Sequence, residues 1–283
     1  MKTLLALLAL LFFSTTADAA HHRHRHHQPR TDNTKINAQV VLVFDEFNQV
    51  SMMDKNSQKI VPIASITKLM TAMVTLDANL PMDEVITIGE DDITGKLKSR
   101  MKVGMRFTRA EMLRLALMSS ENRAALALAK SYPGGIEAFI PAMNLKALEL
   151  EMLSTQFFDP TGLDRNNVST AQDLVKMVVA ASSYATIHEY TTTSSHELAN
   201  IGRKKPLQYH NTNPLVSSSE WDIGVSKTGY ISQAGRCLVM QTMINDNPVI
   251  IIILDSKTKK SRINDAKLIK KILEKQSPPT PLS

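Results

Sequence analysis

The alternation of apolar and polar positions predicts strands both early and late in the chain. Two apolar, β-branched runs at 38–45 and 50–56 are split by a polar break, which is typical of a hairpin. Three further strands are predicted over 221–228, 236–245 and 249–255. Two early and three late strands most simply form one five-stranded antiparallel sheet.

Between these strands, apolar residues recur at helical spacing. Capping boxes of Thr108 with Glu111 and of Ser169 with Gln172 mark two helix starts. The predicted helices run from about 64 to 79, from 108 to 118, from 123 to 131, from 136 to 153, from 169 to 181 and from 261 to 275. The predicted fold class is α+β, in which helices flank the sheet and an all-helical lobe is inserted, with a site at the seam.

The first residues predict export. Lys2, a ten-residue apolar run at 4–13 and an A-x-A site at 17–19 are typical of a cleaved signal peptide, here 1–19. A retained, uncleaved membrane anchor is the weaker alternative, because the small-residue cleavage site is present. The run is also shorter than the roughly 20 apolar residues of a spanning helix. The mature protein is therefore expected in the periplasm.

The mature chain is predicted to have a folded centre between two loose ends. Residues 20–37 form a His-rich tail, which could hold Zn²⁺, Cu²⁺ or Ni²⁺ or simply keep the protein soluble. The α/β lobe is predicted to combine 38–72 with 201–275, and the helical lobe to span 73–200. Residues 276–283 are Pro-rich and predicted to be loose.

Composition adds constraints on the partners. The net charge of +6 favours anionic surfaces such as wall polymers or lipid headgroups. Nucleic acid is disfavoured, because the chain has an export signal and no recognised nucleic-acid motif. Cys237, the one cysteine, is predicted to be a small buried hydrophobe. One side of the last helix is basic, and it is either an ordinary solvated face or a loose contact with the wall or a membrane surface: Arg262, Lys267, Lys270, Lys271 and Lys275.

One short motif at the start of the first helix suggests chemistry. Ser65 and Lys68 are three residues apart, so their side chains share a helix face near the unpaired N–H groups of the helix start. A deprotonated lysine there could take the serine proton. The spacing alone is weak, because Ser99 and Ser256 are also followed three residues later by a lysine and an N-capping serine is the ordinary explanation.

Two further motifs make this chemistry more specific. Ser120 lies two residues before Asn122 at a break between middle helices, and a Lys-Thr-Gly triplet at 227–229 ends the first late strand. Each motif occurs once in the chain. Either could be a helix cap or an ordinary strand end, but their order after Ser65 and their separations of 55 and 105 residues are far more specific than any single motif.

The three motifs together resemble the signature of the penicillin-binding proteins and serine β-lactamases. Residues 119–125 are most similar to the D-alanyl-D-alanine endopeptidase branch. Other segments resemble the low-molecular-mass serine D-alanyl-D-alanine peptidases: 63–72, 160–163, 211–215 and 227–230. The resemblance covers about 38–275 and implies a β-lactamase/transpeptidase-like fold. It also implies action on peptidoglycan peptides and covalent inhibition by β-lactam antibiotics.

The same resemblance implies catalytic roles. Ser65 would be the nucleophile, Lys68 the general base and Ser120 the relay that protonates the leaving amine. The oxyanion hole would be the backbone N–H groups of Ser65 and Tyr230. A lysine base needs a pKa well below its usual value near 10.4, which burial and the charge of Lys227 could supply.

Four more residues are implied in substrate binding. Asn122 would bind the substrate's amide and steady the lysine base, and Lys227 and Thr228 would hold a substrate carboxylate. Gly229 would let the substrate backbone run close to the strand. No metal and no cofactor is implied.

Several activities remain open within and beyond this family. The endopeptidase is favoured over a carboxypeptidase, which often carries a second β domain and an amphipathic anchor. A β-lactamase is less favoured, because the loop 157–167 offers Asp159 and Asp164 but no glutamate. A non-catalytic wall-binding protein would be expected to have lost one of the three motifs.

Overall fold

The computed structural model describes residues 36–90, 99–198 and 206–275, which form an α+β fold. The strands in chain order are β1 (Val40–Asp45), β2 (Val50–Lys55), β3 (Val61–Pro62), β4 (Val85–Thr87), β5 (Arg106–Thr108), β6 (Val168–Ser169), β7 (Ser195–Leu198), β8 (Leu207–His210), β9 (Asp222–Ile231), β10 (Gly235–Ile244) and β11 (Asn247–Ser256). The helices are α1 (Lys68–Asp77), α2 (Arg109–Met118), α3 (Asn122–Lys130), α4 (Gly135–Glu149), α5 (Ala171–Ser182), α6 (Ala185–Thr192) and α7 (Lys259–Glu274). The predicted signal peptide, residues 20–35 of the predicted His-rich tail and the last eight residues lie outside the described residues. Ile36 and Asn37, which the prediction assigned to the same tail, contact the fold: Ile36 is buried and the Asn37 N–H donates to Asp265.

The early and late strands share one antiparallel sheet, in the order β2-β1-β11-β10-β9. β1 pairs along its length with β11, from Val40 opposite Leu254 to Asp45 opposite Val249. Strands from both ends of the chain can pair in this way only if the middle of the chain leaves the sheet and returns. The predicted five-stranded antiparallel sheet and the α+β class are confirmed. β9 is one of the two edge strands of this sheet.

Both faces of the sheet are covered. Successive side chains of β11 point to opposite sides, so Ile250 and Ile252 join one buried cluster while Ile251 and Ile253 join the other. Burying each of these side chains stabilises the fold by roughly 1.5–3 kcal/mol. The second cluster contains the apolar side of α7, and the first contains residues of α1, α2, α3 and α5.

Arg262 was predicted to lie on the basic, exposed side of α7, and this prediction is wrong: the side chain is buried and only 3% exposed. Arg262 lies four, seven and eleven residues before Ala266, Ile269 and Leu273, and helical periodicity puts all four on the face that packs on the sheet. The exposed lysines of the predicted set are Lys267, Lys271 and Lys275, while Lys270 is half-buried.

Two further differences have local causes. α5 is capped by Thr170, whose hydroxyl accepts from the Asp173 N–H, and the predicted cap Ser169 belongs to β6 instead. α6 and the β7–β8 hairpin were not predicted, because their sequences are polar and lack clear periodicity. No helix in the described parts of the chain is long and apolar enough to cross a bilayer. The lobe boundaries at 72/73 and 200/201 stay predictions.

Candidate active site

The first motif lies in a tight turn before α1. Ser65 belongs to a 3₁₀ turn, Ala64–Thr67, which leads directly into the α-helix at Lys68. The helix was predicted to begin at Ala64 or Ser65, so regular α-helical geometry starts a few residues later than expected. Ala64 has a φ of +49°, which costs an L-residue about 1–2 kcal/mol. The surrounding structure must therefore hold this turn in place.

Lys68 is fully buried directly behind Ser65. Its Nζ lies 2.9 Å from Ser65 Oγ, 2.7 Å from Asn122 Oδ1 and 2.6 Å from the carbonyl oxygen of Thr161. The Asn122 and Thr161 oxygens can only accept hydrogen bonds. A neutral amine would give them its two hydrogens and direct its lone pair at the Ser65 hydroxyl, which is the arrangement of a general base.

The electrostatic surroundings favour that neutral amine. Burial lowers the pKa of Lys68 to about 7, although the negative charges of Asp159 and Glu121 oppose the shift. The lysine therefore loses its proton within the physiological range. Sequence reasoning expected a lowered pKa from burial and from Lys227, and burial is the dominant cause here.

The second motif meets the third across the cleft. Ser120 sits between α2 and α3 with a φ of +60°, and its Oγ accepts from Lys227 Nζ at 2.9 Å. Lys227 also donates to the Thr228 carbonyl at 3.0 Å. Burial, together with the positive charges of Lys68 and Arg262, lowers the pKa of Lys227 well below its usual value. An incoming carboxylate would reverse part of this shift.

Asn122 is the first residue of α3, and its side chain faces Lys68 rather than capping the helix. The cap is Glu121, whose carboxylate accepts from the Arg123 N–H at 3.4 Å. The explanation of Asn122 as an ordinary capping residue is therefore wrong, and its amide is free to orient the lysine.

The Lys-Thr-Gly triplet lies inside β9, which continues to Ile231, so the predicted strand end at this triplet is wrong. A Cβ at Gly229 would lie 3.0 Å from the Ile63 carbonyl oxygen and 3.1 Å from the Ser65 nitrogen. Glycine therefore lets the strand lie directly against the turn that carries Ser65. This close approach brings the next residue, Tyr230, toward Ser65, where sequence reasoning placed the oxyanion hole.

The loop 157–167, which the sequence suggested only as a source of acidic side chains, supports the site. The Asp159 carboxylate accepts from the backbone N–H groups of Thr161, Gly162, Leu163 and Asp164 and from the Thr161 hydroxyl. These bonds fold the loop so that the Thr161 carbonyl points at the lysine amine. An Asp two residues before a Thr-Gly pair is a turn signal that could have predicted this role.

Two buried residues lie behind β9 beside the cleft. Arg262 donates from Nη1 to the Cys237 carbonyl at 2.8 Å and to the Gly229 carbonyl at 3.4 Å. Burial, together with the nearby charge of Arg236, lowers the pKa of Arg262 to about 10. Cys237 is buried as predicted, and burial raises the pKa of its thiol to about 11, so it is a poor nucleophile.

Replacing Gly162 with alanine is expected to weaken both the fold and the site. Gly162 has a φ of +79°, and an added Cβ would lie 2.0 Å from the Ala64 carbonyl oxygen, a backbone atom next to Ser65. We expect a loss of about 3 kcal/mol in the free energy of unfolding, measured with denaturant, from strained backbone and overpacking combined.

Gly104→Ala is the matched control. Gly104 has nearly the same φ, +81°, with nothing within 4 Å of an added Cβ. This variant should lose only the 1–2 kcal/mol of the strained φ. Equal losses in the two variants would contradict the close contact between Gly162 and the turn at Ala64.

Comparison with known proteins gives both D-alanyl-D-alanine endopeptidases and D-alanyl-D-alanine carboxypeptidases as relatives. The profile of the D-alanyl-D-alanine carboxypeptidase family, peptidase S11, matches residues 24–258. A D-alanyl-D-alanine endopeptidase of Pseudomonas aeruginosa is 46% identical over 235 residues, which cover 82% of this chain and 76% of the relative. The D-alanyl-D-alanine endopeptidase of Escherichia coli is 43% identical over 235 residues, which cover 79% and 76% of the two chains.

Solved structures share the fold. The Streptomyces K15 DD-transpeptidase superposes with a TM-score of 0.78 at 27% identity, covering 83% of this chain and 96% of its own. Penicillin-binding protein D2 of Listeria monocytogenes, in its ampicillin-bound form, gives a TM-score of 0.73 at 27% identity, covering 84% and 97%. The transpeptidase-like fold expected from the motifs is confirmed.

Proposed function

The chain belongs to the peptidase S11 family, and from this premise we propose that it is a serine peptidase that hydrolyses D-alanyl bonds in peptidoglycan cross-links. The observation that carries this proposal is the position of Lys68. Its amine lies 2.9 Å from the Ser65 hydroxyl, and its burial lets it lose a proton near neutral pH. Ser65 is then an activated nucleophile.

Acylation begins when Lys68 takes the Ser65 proton as Oγ attacks the carbonyl carbon of a D-alanine residue. The new O–C bond forms, and the π electron pair moves to the carbonyl oxygen, which the N–H groups of Ser65 and Tyr230 stabilise. The C–N bond then breaks with its electron pair on the leaving nitrogen. Ser120 accepts from Lys227, so its own O–H is free to protonate that nitrogen, and it recovers a proton from Lys68.

Substrate binding uses the polar groups that line the same cleft. Lys227 and Thr228 hold the carboxylate next to the scissile bond, and the pairing restores the positive charge of Lys227. Thr228 Oγ1 is held 2.7 Å from Thr212 Oγ1, which fixes its orientation. Asn122 binds the amide of the acyl half while its oxygen keeps Lys68 in place.

Deacylation consumes one water molecule. Lys68 is neutral again after acylation, so it takes a proton from the water as the water oxygen attacks the ester carbonyl. The O–C bond to Ser65 breaks, the serine oxygen regains a proton, and a carboxylic acid leaves. Over both halves, one peptide bond and one water become one acid and one amine.

A β-lactam stops the cycle after acylation. Its leaving nitrogen stays tethered to the acyl group and obstructs the approach of water, so the adduct persists. The β-lactamase alternative needs a free carboxylate to activate water. Asp159 does not offer one, because backbone N–H groups engage both of its carboxylate oxygens.

Digestion of purified muropeptides tests this function. The protein should convert cross-linked dimers to monomers, with the fragments identified by mass. Release of D-alanine alone from pentapeptide monomers, with dimers left intact, would favour the carboxypeptidase. Neither product from a folded protein would favour a wall-binding role.

The same proposal includes the place of action. The signal-like sequence supports export to the periplasm, where the wall lies. The exposed lysines of α7, Lys267, Lys271 and Lys275, support a loose contact with the anionic wall or membrane surface. Co-sedimentation with sacculi and with anionic vesicles, repeated at rising salt, measures this contact.

A further inference from the structure

Two side chains at the rim of the cleft take no part in the reaction described above. The guanidinium carbon of Arg236 lies 3.4 Å from the centre of the Tyr230 ring. Tyr230 and Arg236 are directly opposite each other in the β9–β10 ladder, so both side chains project from the same face of the sheet. Tyr230 is 50% exposed, which places the stacked pair at the surface.

The stacked pair lies next to the carboxylate-binding part of the site. Tyr230 follows Thr228 by two residues, so their side chains share a side of β9 and are separated by roughly 7 Å along the strand. The Tyr230 backbone also contributes to the oxyanion hole. A group that extends from the substrate carboxylate held by Thr228 can therefore reach the Arg236 guanidinium.

The charge at this rim is positive. Within residues 36–90, 99–198 and 206–275, no carboxylate forms an ion pair with Arg236. Asp255 lies beside Gly235, but it does not pair with the guanidinium. The buried Arg262 lies close enough to Arg236 for the two positive charges to act on each other. The rim therefore attracts an anion that the described residues do not supply.

The stacking geometry leaves Arg236 able to bind such an anion. The guanidinium carbon lies over the aromatic ring, and no described residue forms an ion pair with Arg236, so its N–H groups stay available for a carboxylate. The ring also restricts the arginine before binding, which reduces the entropy lost when an ion pair forms. A planar, pre-positioned guanidinium is suited to bidentate recognition of a carboxylate.

The leaving groups of carboxypeptidase and endopeptidase cleavage differ in what they bring to this rim. A single D-alanine leaving group ends at the one carboxylate that Lys227 and Thr228 hold. A peptide leaving group continues beyond that point and carries further carboxylates. Resting on the function proposed above, we propose that Arg236, positioned by Tyr230, recognises a second carboxylate on the amine half of a cross-link and so determines specificity for endopeptidase cleavage.

Arg236→Gln tests this proposal with three readouts on the full protein. The kcat/KM for cross-linked dimers should fall about tenfold, mainly through a higher KM, because the contact contributes to ground-state binding. Release of D-alanine from pentapeptide monomers should change less than about twofold, and so should the rate of labelling by a fluorescent penicillin. The loss on dimers should shrink at high salt, because added ions screen the attraction.

Two variants control the experiment. Arg236→Lys keeps the charge but loses the planar stack, so it should recover part of the activity on dimers. Arg114 also stacks on a tyrosine, 3.9 Å from the Tyr190 ring centre, but it pairs with Glu189 on another part of the surface. Arg114→Gln should leave all three readouts unchanged.

Two results would overturn this proposal while leaving the proposed endopeptidase function intact. Unchanged dimer cleavage by a folded Arg236→Gln protein would show that the arginine does not contact the amine half. A parallel fall in dimer cleavage, monomer cleavage and penicillin labelling would show a general effect on the site rather than specificity. A wild-type protein that releases D-alanine but leaves dimers intact would instead reject the endopeptidase function itself, and this inference with it.

Discussion

The Ser65→Ala protein is expected to form no covalent adduct with a fluorescent penicillin and to lose dimer cleavage by at least about 10⁴-fold. Alanine offers no oxygen to attack the carbonyl carbon, so no acyl-enzyme can form. Lys68 keeps its contacts with Asn122 and Thr161, which do not depend on the serine. Gel fluorescence and the intact mass of the protein measure the adduct directly.

Ser99→Ala provides the matched control. Ser99 also has a lysine three residues later, but its Oγ accepts the backbone N–H of Met101 at 3.0 Å instead of a lysine amine. This variant should label at the wild-type rate. A penicillin adduct that persists on Ser65→Ala would assign the nucleophile to another residue, with Ser120 the first to test.

The sheet and the three motifs could be predicted because their signals are local. β1, β10 and β11 carry continuous runs of apolar and β-branched residues, and such runs favour strands. The motifs could be placed together because their order and spacing are specific. Lys68 does contact Ser65 and Asn122, and Lys227 does contact Ser120, as those motifs suggested.

The supporting contacts could not be predicted from the same patterns. The Thr161 carbonyl that receives Lys68 is a backbone atom, and its direction is set by the Asp159 turn rather than by its own side chain. Arg262 looked solvated because arginine is normally exposed. Its burial depends on the carbonyls of Cys237 and Gly229, which accept from the guanidinium, and no pattern within α7 indicates these partners on other strands.

Lys68→Met is expected to slow penicillin acylation by about 10²–10⁴-fold, the usual contribution of a general base. Methionine is similar in length and fills the buried site without an amine. In the wild type, the acylation rate should rise with pH through about 7 and then level off, because the neutral form of Lys68 is the reactive one. The residual rate of the variant should show no such rise.

The same substitution should leave the stability of the protein close to that of the wild type near neutral pH, although it removes three hydrogen bonds. Holding the pKa of Lys68 at about 7 instead of 10.5 costs the folded state on the order of 5 kcal/mol at or below pH 7. The variant loses this cost but leaves the Asn122 and Thr161 oxygens without a donor, at about 1–3 kcal/mol each. The two effects nearly cancel, so thermal unfolding at pH 7 should give a Tm close to that of the wild type.

The pH dependence of stability separates this effect from ordinary repacking. Between pH 7 and 10.5 the unfolded wild type keeps the Lys68 proton that the folded wild type has lost. The free energy of unfolding of the wild type therefore rises with pH across this window. Lys68→Met lacks that gain. The Tm of the variant relative to the wild type should therefore be highest at or below pH 7 and should fall toward pH 10.5. A Tm difference that stays constant with pH would mean that Lys68 is charged in the folded protein, and a charged lysine cannot take the serine proton.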